Sequence, residues 1–228
     1  MYKYETHLHT FPVSRCASPS GNVEDSLKFY KKLGYDGVFI TNHFLDGNVN
    51  VDKTLPYEEQ IEFYFSDYEK AVEVGKEIGL KVFLGQELSD RGTDFLIYGL
   101  DKQWYLDHPE IMQMQKKDEL ALMREHGALV IQAHPFRALW VIQLLPVSVD
   151  GIEVINASRT DKENNMARLY AENYEFLMSA GSDNHSGPKR KKLAGICTQE
   201  PIESVEDFIF KFKNKQTEIF STYVPTDE

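Results

Sequence analysis

The chain has 228 residues, 42% of them hydrophobic and 27% charged, with a formal net charge of −11. This composition is ordinary for a globular domain. The charge disfavours tracking a nucleic-acid backbone with a broad basic surface, yet admits a small phosphorylated substrate, because bound cations invert the local field. No run reaches the about 18 consecutive apolar residues of a membrane helix, MYKYETHLHT lacks the basic-then-apolar order of a signal peptide, and Cys16 and Cys197 suggest no disulfide framework, so one cytoplasmic domain over 1–228 is expected.

The first strand is expected over YKYETHLH (2–9), where His7 and His9, two positions apart, share one face. Asn22 then reads as the N-cap of a helix with Val23, Leu27 and Tyr30 on its apolar side and Gly34 as its stop. DGVFITNH (36–43) is the second strand and ends in His43. A long helix follows from Tyr57 to Ile78, with Ile61, Phe65, Tyr68 and Val72 on one face and Gly79 as its stop. LKVFLGQEL (80–88) carries Glu87, and DFLIYGL (94–100) has Asp94 at its start rather than its end. The next helix is expected from Glu110 to His126, with Gly127 as its stop. ALVIQAHPF (128–136) carries His134, whose backbone Pro135 should hold extended. One short helix is expected within RALWVIQLLPVSV (137–149). DGIEVINAS (150–158), with Arg159 after it, presents Glu153, Asn156 and Arg159 toward a substrate. A helix from Lys162 to Asn173 leads to EFLMSAGSDNH (175–185), which carries Asp183 and His185. The last helix is expected from Ser204 to Lys215, with Val205, Phe208, Ile209 and Phe212 as its apolar stripe.

Apolar runs such as Val38–Ile40, Val82–Leu84 and Leu129–Ile131 indicate strands covered on both faces, hence a parallel α/β sheet. In an open sheet the residues at the strand ends would spread along a line, whereas in a barrel they converge on one mouth. Five of the seven histidines, His7, His9, His43, His134 and His185, sit at strand ends with Glu87 and Asp183. His108, before a helix start, and His126, at a helix C-terminus, have plain explanations. An imidazole and carboxylate donor set suits zinc, iron or manganese better than magnesium or calcium.

The motifs HLH, TNH, GQE, AHP and GSDNH, in this order and covering nearly the whole chain, resemble the PHP (polymerase and histidinol phosphatase) family. The resemblance implies a distorted seven-stranded β/α barrel, TIM-like, with two or three divalent transition metals at the C-terminal ends of its strands. It implies hydrolysis of a phosphoester, as a phosphatase or phosphodiesterase, by a metal-activated water. It places a first metal on His7, His9, Glu87 and Asp183, a second on Glu87 and His134, and a third on His43 and His185. Two positions depart from the commoner pattern. Asp94 stands near a place often held by histidine, where it could ligate or contact water. Cys16 stands where the loop after HLH often offers an acid or histidine. A thiolate there would favour zinc or iron, and the alternative is a small buried residue.

For the phosphate, Arg137 follows His134 by three residues and offers a bidentate fork, with Arg15, Arg159, Arg190 and the run KRKK (189–192) as further cations. The proton for the leaving group could come from His43 or His185 if no third metal is bound, from Asp94, or from a metal-bound water. Loops 45–60 and 99–115, with Tyr57, Trp104 and Tyr105, are the expected substrate selectors. Three other readings remain. An amidohydrolase-type barrel also begins H-x-H, but wants a bridging lysine at the end of the fourth strand, where this chain has Asp101 and only then Lys102. A non-catalytic metal module would need fewer ligands, and a nuclease would need a basic track with aromatics.

Overall fold

A computed structural model describes residues 1–137 and 144–225. Residues 138–143, the middle of the connection where a short helix is expected, lie outside the described residues. The expected strands form as β1 (Tyr2–Leu8), β2 (Gly37–Ile40), β3 (Lys81–Asp90), β4 (Thr93–Tyr98), β5 (Leu129–Ala133), β6 (Gly151–Asn156) and β7 (Leu177–Gly181). Two further strands, β8 (Lys192–Thr198) and β9 (Thr217–Tyr223), complete one sheet in the order β7-β6-β5-β4-β3-β2-β1-β8-β9.

The sheet curls into a nearly closed barrel. At the C-terminal end of β1, Leu8 bridges in parallel to Asn184 just after β7. His9 N donates to Asn184 O at 3.1 Å and Asn184 N to His7 O at 3.3 Å. The N-terminal half of β1 pairs instead with β8, antiparallel. The seam is therefore shut at the mouth and wedged open by β8 at the other end.

One strand breaks the expected parallel order. β4 runs antiparallel to both β3 and β5. A parallel partner needs a crossover of a dozen or more residues, and only Arg91 and Gly92 separate β3 from β4. Both have positive φ, 51° and 85°, the requirement of a two-residue hairpin turn whose twist matches its strands. The reversal carries Asp94, at the start of β4, to the same barrel end as the tips of the other strands.

The helices follow their caps. α1 (Val23–Lys32) begins on Asn22, whose side chain accepts from Asp25 N. α2 (Tyr57–Ile78) ends on Gly79 at φ 67°. The helix expected over 110–126 is divided. α3 (Lys102–Asp107) is capped by Asp101, a 3-10 turn spans Pro109–Gln113, and α4 (Lys116–Glu125) follows. Pro109 opens the 3-10 turn, as a residue without an N–H can only at a helix start. α5 (Asp161–Asn173) carries a Thr160–Glu163 capping box. α6 (Val205–Lys213) starts on Ser204 and plugs the barrel end opposite the histidines. There Phe208 is fully buried against Phe39 and Tyr98, at ring separations of 4.6 and 5.1 Å. No helix among the described residues is long and apolar enough to cross a membrane.

Candidate metal centre

The open mouth of the barrel is polar and buried at once. His7 and His9 are fully buried, Glu87 is 1% exposed, and His43, Asp94, His134 and Asp183 are buried. The strand period puts Thr6 and Leu8 away from them. Thr6 Oγ1 donates to Ala180 O, and Leu8 packs in an apolar cluster with Val23, Leu27 and Val38.

Glu87 is the hub. Its Oε1 lies 3.2 Å from His7 Nε2 and 3.3 Å from His134 Nε2. Its Oε2 lies 3.2 Å from His9 Nε2 and 2.9 Å from His43 Nδ1. Asp183 Oδ1 is 3.8 Å from His7 Nε2, 3.6 Å from His9 Nε2 and 3.1 Å from His185 Nδ1. Asp94 Oδ2 is 3.8 Å from His134 Nε2. Three sets of donor atoms, each within 4.8 Å of one another, emerge: His7–His9–Glu87, Glu87–Asp94–His134 and His9–His43–His185. The residues expected as ligands are thus brought together, Asp94 included.

Hydrogen bonds from behind fix which imidazole nitrogen faces inward. His7 Nδ1 donates to the buried Glu153 Oε1 at 2.9 Å, so Nε2 carries the lone pair. For His9 the direction is set four residues away from the ring. Asp67 on α2 accepts from Thr10 Oγ1, whose oxygen accepts from Asn42 Nδ2. Asn42 Oδ1 must then accept from Ser14 Oγ, which leaves that oxygen to accept from His9 Nδ1 at 3.1 Å. In the neutral rings both Nε2 lone pairs therefore point at one another, 3.1 Å apart, and at Glu87. Neither Glu87 oxygen, nor His43 Nδ1, has a hydrogen-bond partner although all three are buried. A buried carboxylate left without a donor is costly. Lone pairs converging on it fit a cation, and the imidazole and carboxylate donors fit a divalent transition ion.

Although burial opposes it, neighbouring carboxylates hold His7, His43, His134 and His185 above the ordinary histidine value, a positive charge that a bound cation would replace. Burial opposes the charge on Glu87, but the fields of His43 and His7 outweigh it and hold its pKa well below the usual range. Burial likewise opposes the charge on Asp183, and His7 and His185 hold it low. Burial and the neighbouring His185 and His43 push His9 well below the ordinary histidine value, toward the neutral form that a ligand needs.

Two of these residues sit on strained backbone. Asp183 has φ 50° and His134 has φ 28°, so the extended backbone expected before Pro135 is not adopted. The turn is held by His134 N donating to Glu153 Oε2 at 3.1 Å and by Arg137 N donating to His134 O at 2.8 Å. Strain kept by such partners is characteristic of functional positions. Gly181 is required for a different reason, because a Cβ there would lie 2.4 Å from His7 Cβ.

Other expectations are corrected. Glu153 and Asn156 are fully buried behind the site; Asn156 Nδ2 donates to Glu153 Oε2 and Asp183 Oδ2, so neither faces a substrate. Only Arg159 of that trio lines the cavity at the mouth, about 460 Å³, together with Cys16, Asn48, Ser89, Arg137 and Ser158. Arg137 Nη1 is tied to Asp94 Oδ2 at 3.1 Å, whereas Arg159 Nε is buried with no hydrogen-bond partner. Arg15 and Arg190 are not among the cavity's lining residues, and Lys192 of the basic run pairs with Asp161. Loop 45–60 contributes Gly47 and Asn48, but 99–115 contributes nothing to the cavity. Tyr105 is core, Trp104 stacks on His108 at 4.4 Å, and Tyr57 donates to Tyr105 O. Lys102, the residue an amidohydrolase-type reading would call on, pairs with Glu62 and Glu69 instead. Cys16 and Cys197 are both free thiols.

No protein-family model and no curated protein sequence matches the chain. Solved structures do match its fold. A two-domain protein of Bacteroides vulgatus containing a predicted PHP-like metal-dependent phosphoesterase superposes with a TM-score of 0.65 at 16% identity, over 96% of this chain and 64% of its own. PsfC of Pseudomonas syringae matches with a TM-score of 0.60 at 15% identity, over 98% of this chain and 93% of its own. The lesion-specific endonuclease EndoQ of Pyrococcus furiosus matches with a TM-score of 0.62 at 14% identity, over 96% of this chain and 57% of its own. The chain thus has the fold of the PHP-type barrels, and it spans under two thirds of the length of the Bacteroides protein and of the endonuclease.

Proposed function

We propose that residues 1–228 form one barrel domain that hydrolyses a small phosphorylated substrate in a metal-dependent reaction. The observation that carries this reading is the Glu87 carboxylate, buried without a hydrogen-bond donor among four imidazoles. Two or three zinc, iron or manganese ions would supply a water activated near neutral pH and positive charge for the phosphate oxygens. His7, His9, Glu87 and Asp183 would hold the first, Glu87, His134 and Asp94 the second, and His43 with His185 a third.

The remaining steps belong to the chain. Arg159 lines the cavity, its Nε making no hydrogen bond, and would take a phosphate oxygen. Arg137, braced by Asp94, would orient the phosphate from the opposite wall. Glu153 and Ser14 hold the Nδ1 atoms of His7 and His9 from behind, so that their Nε2 atoms face inward.

DNA is the second reading, because an endonuclease shares the fold. The net charge of −11 and the cavity of about 460 Å³ favour a small substrate. The test is elemental analysis of the purified protein, followed by a panel of phosphomonoesters, phosphodiesters and duplex DNA with added manganese, iron or zinc. Turnover of a phosphoester is expected, lost on chelation and abolished by His7→Ala with His9→Ala. Protein that neither carries nor binds these metals, or a double variant with full activity, overturns the reading.

A further inference from the structure

We infer that Ser89 is a positioning residue for Asp94. Its hydroxyl pins one carboxylate oxygen and so reserves the other for the second cation position, beside Glu87 and His134. The role rests on the metal-dependent reading of the site and assigns the residue through which Asp94 is made fit for it.

The hairpin builds the pair. Arg91 and Gly92 form the two-residue turn between β3 and β4, and turn length fixes register. Asp90 therefore stands opposite Thr93, and Ser89 opposite Asp94. Residues directly opposite share a face, with Cβ atoms about 4.5–5.5 Å apart. Ser89 also lies two positions past Glu87, on the face that carries the hub carboxylate. Its Oγ donates to Asp94 Oδ1 at 2.6 Å, and it lines the mouth cavity together with Asp94 and His134.

The bond divides the labour of one carboxylate. A free aspartate turns readily about its last torsion and offers two equivalent oxygens. Here Oδ1 is taken by Ser89. Oδ2 accepts from Arg137 Nη1 at 3.1 Å and stands 3.8 Å from His134 Nε2. One oxygen of Asp94 falls with Glu87 and His134 in a set of donor atoms within 4.8 Å of one another.

Ser89 is itself held from outside the hairpin. Its N–H donates to Asp46 Oδ1 at 3.1 Å, and Asp46 Oδ2 meets Lys116 Nζ at 2.5 Å. Gly47 leaves the room the hydroxyl needs, because a Cβ there would lie 2.9 Å from Ser89 Oγ. The loop after β2 and the start of α4 thus both bear on the orientation of Asp94 through this one serine.

The test strips the protein with a chelator and titrates it with zinc(II) alone against a chromogenic chelator. The native protein is expected to take at least two ions. Ser89→Ala is expected to keep the first, on His7, His9, Glu87 and Asp183, at native affinity and to weaken the second about 10–100-fold. Ser89→Thr, which keeps the hydroxyl, is expected to restore it. Asp94→Asn is expected to weaken the same ion, and adding Ser89→Ala to it is expected to cost nothing further, because two residues acting through one contact are not additive. A hydroxyl that only steadied the hairpin would weaken both ions alike or neither, or its loss would add to that of the Asp94 carboxylate. Any of these results overturns the positioning role and leaves the metal-dependent reading intact. A single ion in the native protein overturns the role together with its position, and no zinc at all overturns both.

Discussion

Each imidazole at the mouth of this barrel is useful in one tautomer only, and buried polar residues with no other task set it. Glu153 is the clearest case, because one carboxylate holds His7 Nδ1 with Oε1 and the His134 backbone with Oε2. Glu153→Gln can present an N–H where His7 needs an acceptor, turning the inward nitrogen into a donor. Metal affinity is expected to fall about 10–100-fold, read by competition titration with a chromogenic chelator, while the thermal unfolding of the stripped protein stays close to native. Unchanged affinity would show that Glu153 does not govern the ring. The imidazoles themselves were legible from spacing, since His7 and His9 must share a face and the other three end strands. The job of Glu153 was not. In GIEVIN a lone carboxylate reads the same whether it faces a cavity or the back of a ring, and only closure of β7 onto β1 decides. The φ of His134 was equally hidden, since proline biases the residue before it toward extension and the tertiary bonds here override that bias.

Among the elements, α2 was readable almost to the residue from its apolar face and from the Gly79 that stops it. The stretch 110–126 misled because its apolar spacing continues across the extended Met114, which separates the 3-10 turn from α4. The reversal of β4 was written in the two residues of its turn, but an apolar run by itself carries no direction. α4 also supplies a buried ionic link to the rim. Lys116 Nζ reaches Glu119 Oε2 at 2.7 Å and Asp46 Oδ2 at 2.5 Å, and Asp46 Oδ1 accepts from Ser89 N. Burial, opposed by Lys116, raises the Glu119 pKa from 4.5 to about 7. A raised carboxylate pKa means the fold holds that proton more tightly than the unfolded chain. Its contribution is complete below pH 4.5 and lost as pH rises through about 7. Glu119→Gln keeps a neutral group at every pH. Its stability relative to the native protein is therefore expected to improve by about 3 kcal/mol between acid and alkaline conditions, measured by urea unfolding on both sides of that range. A difference independent of pH would count against the shift.

At the scale of the whole molecule, an ion bound by the folded chain and not by the unfolded one stabilises it by mass action. With metal at about a thousandfold excess over its Kd the gain is about 4 kcal/mol, so chelation is expected to lower Tm by about 10 °C for a domain of this size. Calorimetry with and without chelator reads it, and an unchanged Tm would mean that no ion is held. The same linkage gives the seam between β1 and β7 a temporal meaning. His7 and His9 leave the ribosome long before Asp183 and the Asn184 contact that locks the seam. Contacts so distant in sequence form late. The growing chain thus carries two histidines that cannot complete their shell until most of the barrel exists, and capture of the ion marks the moment the fold closes.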